Sequence, residues 1–181
     1  NTKLSPYVSG YDSNAYPFSI MPDKKLNLTF LMELHRDTYE GTSFDNSTKA
    51  TGGLFASPYT YEGLGERSIA DNNTTFTFIS QSSNLEPVPL TWVSLGSSGE
   101  SPFVPLSVSP LPQTYTNVDR SSYDQSKMWW ICSDIAHMAK GYYSAISPLV
   151  QLSIAEFEQN EQTLLRHSKG LSQTYSKVYP G

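Results

Sequence analysis

The spacing of apolar residues changes once along this chain, near Pro112, and that change limits what it can fold into. Before Pro112 the period is two. Leu26, Leu28, Phe30, Met32 and Leu34 alternate with Asn27, Thr29, Leu31, Glu33 and His35, the pattern of a half-buried strand. Residues 74–80 repeat it with Phe76 and Phe78 on one face, and residues 87–95 carry Val88, Leu90 and Trp92. Residues 102–108 form a shorter fourth strand, whose two prolines suit an edge or an interrupted ladder. Gly96-Ser97-Ser98-Gly99 ahead of it has the turn chemistry of a hairpin. After Pro112 the period is helical: Met128, Cys132, Ile135, Met138, Ala139 and Tyr142 form one stripe, widened by Trp129 and Ile131. Ser147-Pro148 reads as an N-cap with proline at the first helical position, starting a second helix that Gly170 closes. Val150, Ile154, Phe157, Leu164 and Leu165 give that helix its apolar face. Four strands followed by two helices predict an α+β fold, with helices on one face of an antiparallel sheet.

The 181 residues suffice for a single domain with its own core. Residues 1–25, with Pro6, Pro17 and Pro22 among tyrosines, form an irregular lead-in; 26–112 hold strands and loops, and 113–181 a helical tail. Within the middle part, 36–66 read as a long glycine-containing loop. Aromatics make up 13% of the chain, which excludes a disordered polymer, and no apolar run approaches the ~20 residues of a membrane helix. A net charge of −5 argues against a nucleic-acid partner, because such binding rests on basic side chains neutralising phosphate. One cysteine, Cys132, leaves no internal disulfide and no thiolate zinc site. No cofactor or metal is expected. Asn27, Asn46, Asn72 and Asn73 each begin an Asn-x-Ser/Thr sequon, which together with the abundant Ser and Thr suits a secreted, cell-surface or lysosomal glycoprotein.

The densest set of reactive side chains is His35-Arg36-Asp37-Thr38-Tyr39-Glu40-Gly41-Thr42, at the exit of the first predicted strand. Arg36 offers a bidentate fork for a carboxylate, while Asp37 and Glu40 can receive an amino group or orient a base. The plainer reading is an arginine paired with an acidic neighbour to fix a loop. Glu66-Arg67 repeats the arrangement, with an ion pair the better expectation. Asp124 or Ser122 is placed to cap the first helix. Cys132 sits on the apolar stripe and reads as a small buried hydrophobe, not a nucleophile; His137, five residues on, does not share its face. By residue chemistry alone the chain lacks a self-sufficient active site.

Three stretches in order carry a resemblance. Residues 35–42 resemble the Arg-Asp-x-Tyr-Glu-Gly-Thr segment of the family C69 (U34) dipeptidases. Glu66-Arg67-Ser68-Ile69 resembles that family's Glu-Arg-Thr-Ile segment. Leu90-Thr91-Trp92-Val93 with Pro102-Phe103-Val104-Pro105-Leu106 is similar to its Trp-containing strand followed by a Val-Pro strand. The likeness runs from about Leu26 to about Trp130. It implies part of a four-layer αββα N-terminal-nucleophile hydrolase, in which a cysteine at the mature amino terminus attacks the amide and its own α-amine serves as base. An α-amine suits that task, since its ordinary pKa is ~7.7–8.0. Here the first residue is Asn1, so the resemblance implies the carboxyl-terminal part of such an enzyme, with the nucleophile on an amino-terminal portion of the same precursor. That portion as a second chain and a dipeptide substrate are the implied partners, and a homo-oligomer is compatible. Arg36, Asp37, Glu40 and Arg67 are the implied substrate-side residues. The competing expectation is a catalytically inactive glycoprotein that keeps this fold for a structural or binding role.

Overall fold

The computed structural model describes residues 18–19, 21–59, 67–81, 89–107, 110–119 and 121–178, with side chains described as far as Gly170. Most of the lead-in, Glu66, Val88 and Arg120 lie outside the described residues. The chain is α+β. Three strands, β1 (Phe76–Gln81), β2 (Leu90–Leu95) and β3 (Val104–Leu106), form one antiparallel sheet in the order β1-β2-β3. Phe78 lies opposite Val93, and Trp92 opposite both Ile79 and Pro105. Pro105 thus sits on an edge strand, where a missing N–H costs least.

The segment expected to be the first strand is a helix, α1 (Leu28–His35). Its sequence satisfies two periods at once, and the helical one wins. Asn27 provides the reason: as N-cap its side-chain oxygen accepts the Phe30 N–H at 2.8 Å. Burial follows the helical spacing. Met32 is 2% exposed and Leu28 and Leu31 pack beside it, whereas Leu26, Phe30 and Leu34 remain exposed. Under an alternating pattern all of these except Leu31 would share one face. Met32 meets Ile79, Trp92 and Phe103 in the core, with Leu165 packed against them.

Two more helices follow. In α2 (Met128–Gly141) the buried side is Cys132, Ala136 and Ala139, one face at helical spacing, while Met138 and Tyr142 at the other end of the expected stripe are exposed. Neither Asp124 nor Ser122 is its N-cap. Lys127 holds that position, and Asp124 instead closes a turn one step earlier by accepting the Ser126 N–H and hydroxyl. The second predicted helix, α3 (Tyr143–Val178), begins four residues before Ser147 and passes through both Pro148 and Gly170. It reaches back because its first amides find acceptors: Ser144 N–H donates to Phe55 O, and Ala145 and Ile146 N–H donate to Tyr142 O. Pro148 forfeits a single ladder bond near the start, and packing of the helix outweighs it. Among the described residues no helix is long and apolar enough to cross a membrane.

Candidate active site

Arg36 ends α1 and turns inward. Its Nε donates to Ser98 O at 2.9 Å, one terminal nitrogen donates to Ser101 O at 3.4 Å and to Glu158 Oε1 at 2.5 Å, and the other reaches Glu158 Oε2 at 3.2 Å. The guanidinium lies 5.0 Å above the centre of the Phe103 ring. Glu158 Oε1 also accepts the Phe103 N–H at 2.7 Å, and the Ser98 hydroxyl donates to His35 O. One fork therefore joins α1, the β2–β3 connection and α3. With its donors turned to these partners, Arg36 has the geometry of an arginine that fixes the fold. Its partner, though, is a distant acid on α3 and not a neighbour in the loop.

The rest of the motif shapes the loop beyond it. Asp37 is exposed, and its carboxylate accepts the Tyr39 N–H at 2.7 Å, which supports the left-handed backbone of Tyr39 (φ 62°). The Thr42 hydroxyl donates to Tyr39 O and accepts from Phe44 N–H. Gly41, at φ 73°, donates to Asp45. Asp45 is buried yet held below the ordinary aspartate range, because the Ser47 hydroxyl and the Gly41 and Ser47 amides all donate to its carboxylate. Asp37 O accepts the Ala70 N–H, so the two stretches that share the family resemblance are spatial neighbours. Arg67 is exposed there and pairs with Asp71 at 3.1 Å.

Glu40 makes none of these loop bonds. It is exposed and, with Thr38, Ser47, Pro58, Tyr143 and Ser147, lines a cavity of about 410 Å³. The field there is acidic. Burial raises the Tyr143 phenol above its ordinary pKa and the charges of Glu100, Glu40 and Asp45 push it further, against a hydrogen bond with Ser147. The lining of this open cavity is thus hydroxyl-rich, with Glu40 its single carboxylate.

Behind the cavity wall lies a polar pair hidden in the sequence. Tyr59 is 4% exposed and donates its phenol proton to Glu100 Oε1 at 2.5 Å; Glu100 is 2% exposed. Burial raises both pKa values, Tyr59 being pushed further by the Glu100 charge. Gly99 permits this approach, since a Cβ there would stand 2.7 Å from the Tyr59 hydroxyl. Glu100 sits in a Gly-Glu-Ser-Pro turn, where an acid normally signals solvent. Glu158 had a readable signal: it falls four residues after Ile154 on an apolar stripe, where a carboxylate calls for a cation.

Cys132 is buried, 3.4 Å from the Ser101 hydroxyl, and burial pushes its thiol above the ordinary value, as befits a packing residue. His137 instead contacts Ser133 O. Of the sequons, Asn46 is 1% exposed with its amide nitrogen donating to Pro58 O, Asn27 caps α1 at the surface, and Asn73 is exposed beside a partly covered Asn72. Among the described residues no group of His, Cys, Asp and Glu side chains is arranged to hold a metal.

The cleft beside Glu40 thus stands apart from Cys132, the single cysteine of the chain. A model of peptidase family C69 matches residues 1–158, most of the sequence, and the chain belongs to that family. No curated protein and no solved structure matches it.

Proposed function

We propose that this chain is the carboxyl-terminal part of a cysteine-type dipeptidase, and that the cavity beside Glu40 receives the substrate's α-ammonium group. Membership of peptidase family C69 over residues 1–158 carries the reading. Two features of the structure support it. The only cysteine is buried with a raised pKa, which leaves the nucleophile to a portion of the precursor outside this sequence. The cavity field favours a cation, and Glu40 is the carboxylate at its wall that the loop does not consume. The attacking thiolate would form a thioester, release the amine and be freed by water. A second sheet from the same precursor would complete the αββα sandwich by covering Phe76 and Phe78, which are 57% and 59% exposed on β1.

The test is to purify the natural protein without denaturant, sequence every amino terminus, and assay hydrolysis of unblocked and N-acetylated dipeptides. A tightly held chain beginning with Cys, hydrolysis confined to unblocked dipeptides, and a rise of tenfold or more in KM for Glu40→Gln are expected. An associated chain without an N-terminal nucleophile, or no hydrolysis, refutes the enzyme. Equal hydrolysis of N-acetylated dipeptides refutes the ammonium subsite alone.

A further inference from the structure

The fold treats the four sequons differently. Asn46 is 1% exposed and its amide nitrogen donates to Pro58 O at 3.3 Å, so a sugar on that nitrogen would break the bond and find no room. Asn27 spends its side-chain oxygen on the cap of α1. Asn72 and Asn73 are the two central residues of a turn. Thr74 N–H closes it by donating to Asp71 O at 3.0 Å, and Asn73 N–H braces it by donating to the Asp71 carboxylate at 2.9 Å. Asn72 is partly covered, whereas Asn73 is exposed and its side chain makes no hydrogen bond among the described residues. Thr75, the hydroxyl residue of the Asn73 sequon, ties the turn to the sheet, since its carbonyl accepts the Gly96 N–H at 2.8 Å.

Beside this turn is a cavity of about 160 Å³, lined by Asn73, Thr74 and Thr75 from the turn and by Trp129, Ser133 and His137 from α2. Hydroxyls, an imidazole and a half-buried indole suit a sugar ring, which has polar edges and apolar faces. We propose that Asn73 carries an N-linked glycan whose first sugar lies in this cavity against Trp129, and that Asn46 stays unmodified. The donor is a lipid-pyrophosphate-linked oligosaccharide. Asn73 Nδ2 attacks its anomeric carbon; the C–N bond forms as the anomeric C–O bond breaks, the pyrophosphate leaves with the electron pair, and the amide gives up one proton. Transfer takes place on unfolded chain, and the fold then decides which sites a mature chain can carry: a substituent at Asn73 stays at the surface, and one at Asn46 blocks the loop. The proposal rests on the secretory route that the sequons suggest and is independent of the peptidase reading.

Peptide mapping of the whole natural protein, deglycosylated by a glycan-releasing amidase in heavy-oxygen water, tests it. Labelled aspartate should appear in place of Asn73, and not in place of Asn72 or Asn46. A Thr74→Ala chain, which loses the Asn72 sequon and keeps that of Asn73, should retain the glycan. Complete removal of the glycan should lower the melting temperature by about 2 °C or more, while trimming it to the first sugar should not. Label in place of Asn72 or Asn46, or loss of the glycan in Thr74→Ala, would overturn the assignment. An unmodified Asn73 beside a labelled Asn27 would overturn it while leaving the secretory route in place, and no label at any sequon would overturn both. Equal melting temperatures for the trimmed and the fully deglycosylated protein would refute the contact with Trp129.

Discussion

Replacing Arg36 separates the two readings of the motif that contains it. Arg36→Ala removes four hydrogen bonds and strands Glu158, whose side chain is only 11% exposed, with the Phe103 amide as its remaining donor. Losing one member of a buried ion pair costs about 3–5 kcal/mol, against about 0–1 for a pair in solvent. With side-chain exposures of 15% and 11% this pair belongs near the buried limit. A loss of about 3–5 kcal/mol would remove roughly a fifth or more of the stability of a typical domain. Urea unfolding followed by tryptophan fluorescence suits the measurement, because Trp92 lies in the core beside Phe103. Arg36→Met combined with Glu158→Leu should recover much of the loss, since no buried charge is then left unpaired. Arg36→Lys should fall between, keeping the charge but not the fork. A cost below about 1 kcal/mol for Arg36→Ala would refute the structural assignment. So would an Arg36→Lys protein of unchanged stability with a much higher KM, because that result would mark Arg36 as a substrate ligand.

Asn27→Ala should destabilise the protein by about 1 kcal/mol while Asn27→Ser should not, measured by the same unfolding curves. Asp45 is held below its ordinary pKa when folded, so the stability it contributes is full above the unfolded value of ~3.9 and disappears as the pH falls through the lower folded value. Asp45→Asn should accordingly flatten the acid limb of the stability–pH profile below about pH 4, and an unchanged limb would contradict the loop geometry. Cys132 should resist iodoacetamide at neutral pH until urea unfolds the chain, and Cys132→Ala should leave any peptidase activity in place; rapid labelling of the folded protein would place the thiol at the surface.

The local patterns that one stretch of chain satisfies by itself were legible. Phe76 and Phe78, the run around Trp92 and the proline-flanked Val104 give strands in the right order, with the third at an edge, because alternation and missing amides are properties of neighbours in sequence. The ordered motifs around Arg36, Glu66-Arg67 and Trp92 likewise placed the chain in its peptidase family. Other local signals misled. Residues 28–35 fit both periods, and the Asn27 cap together with the contacts of Met32 chose the helix. Ser147-Pro148 looked like a helix start, but the loop carbonyl of Phe55 allowed α3 to begin earlier.

The sequence by itself determined the family and the strand segments around Phe76, Trp92 and Val104. Only the tertiary structure decided that Arg36 belongs to Glu158, 122 residues away, and that Glu100 in a polar turn is buried against Tyr59. The physical reason is common to both. Whether a charge is solvated or must find a partner depends on what packs over it, and for Arg36 and Glu100 that cover comes from residues remote along the chain.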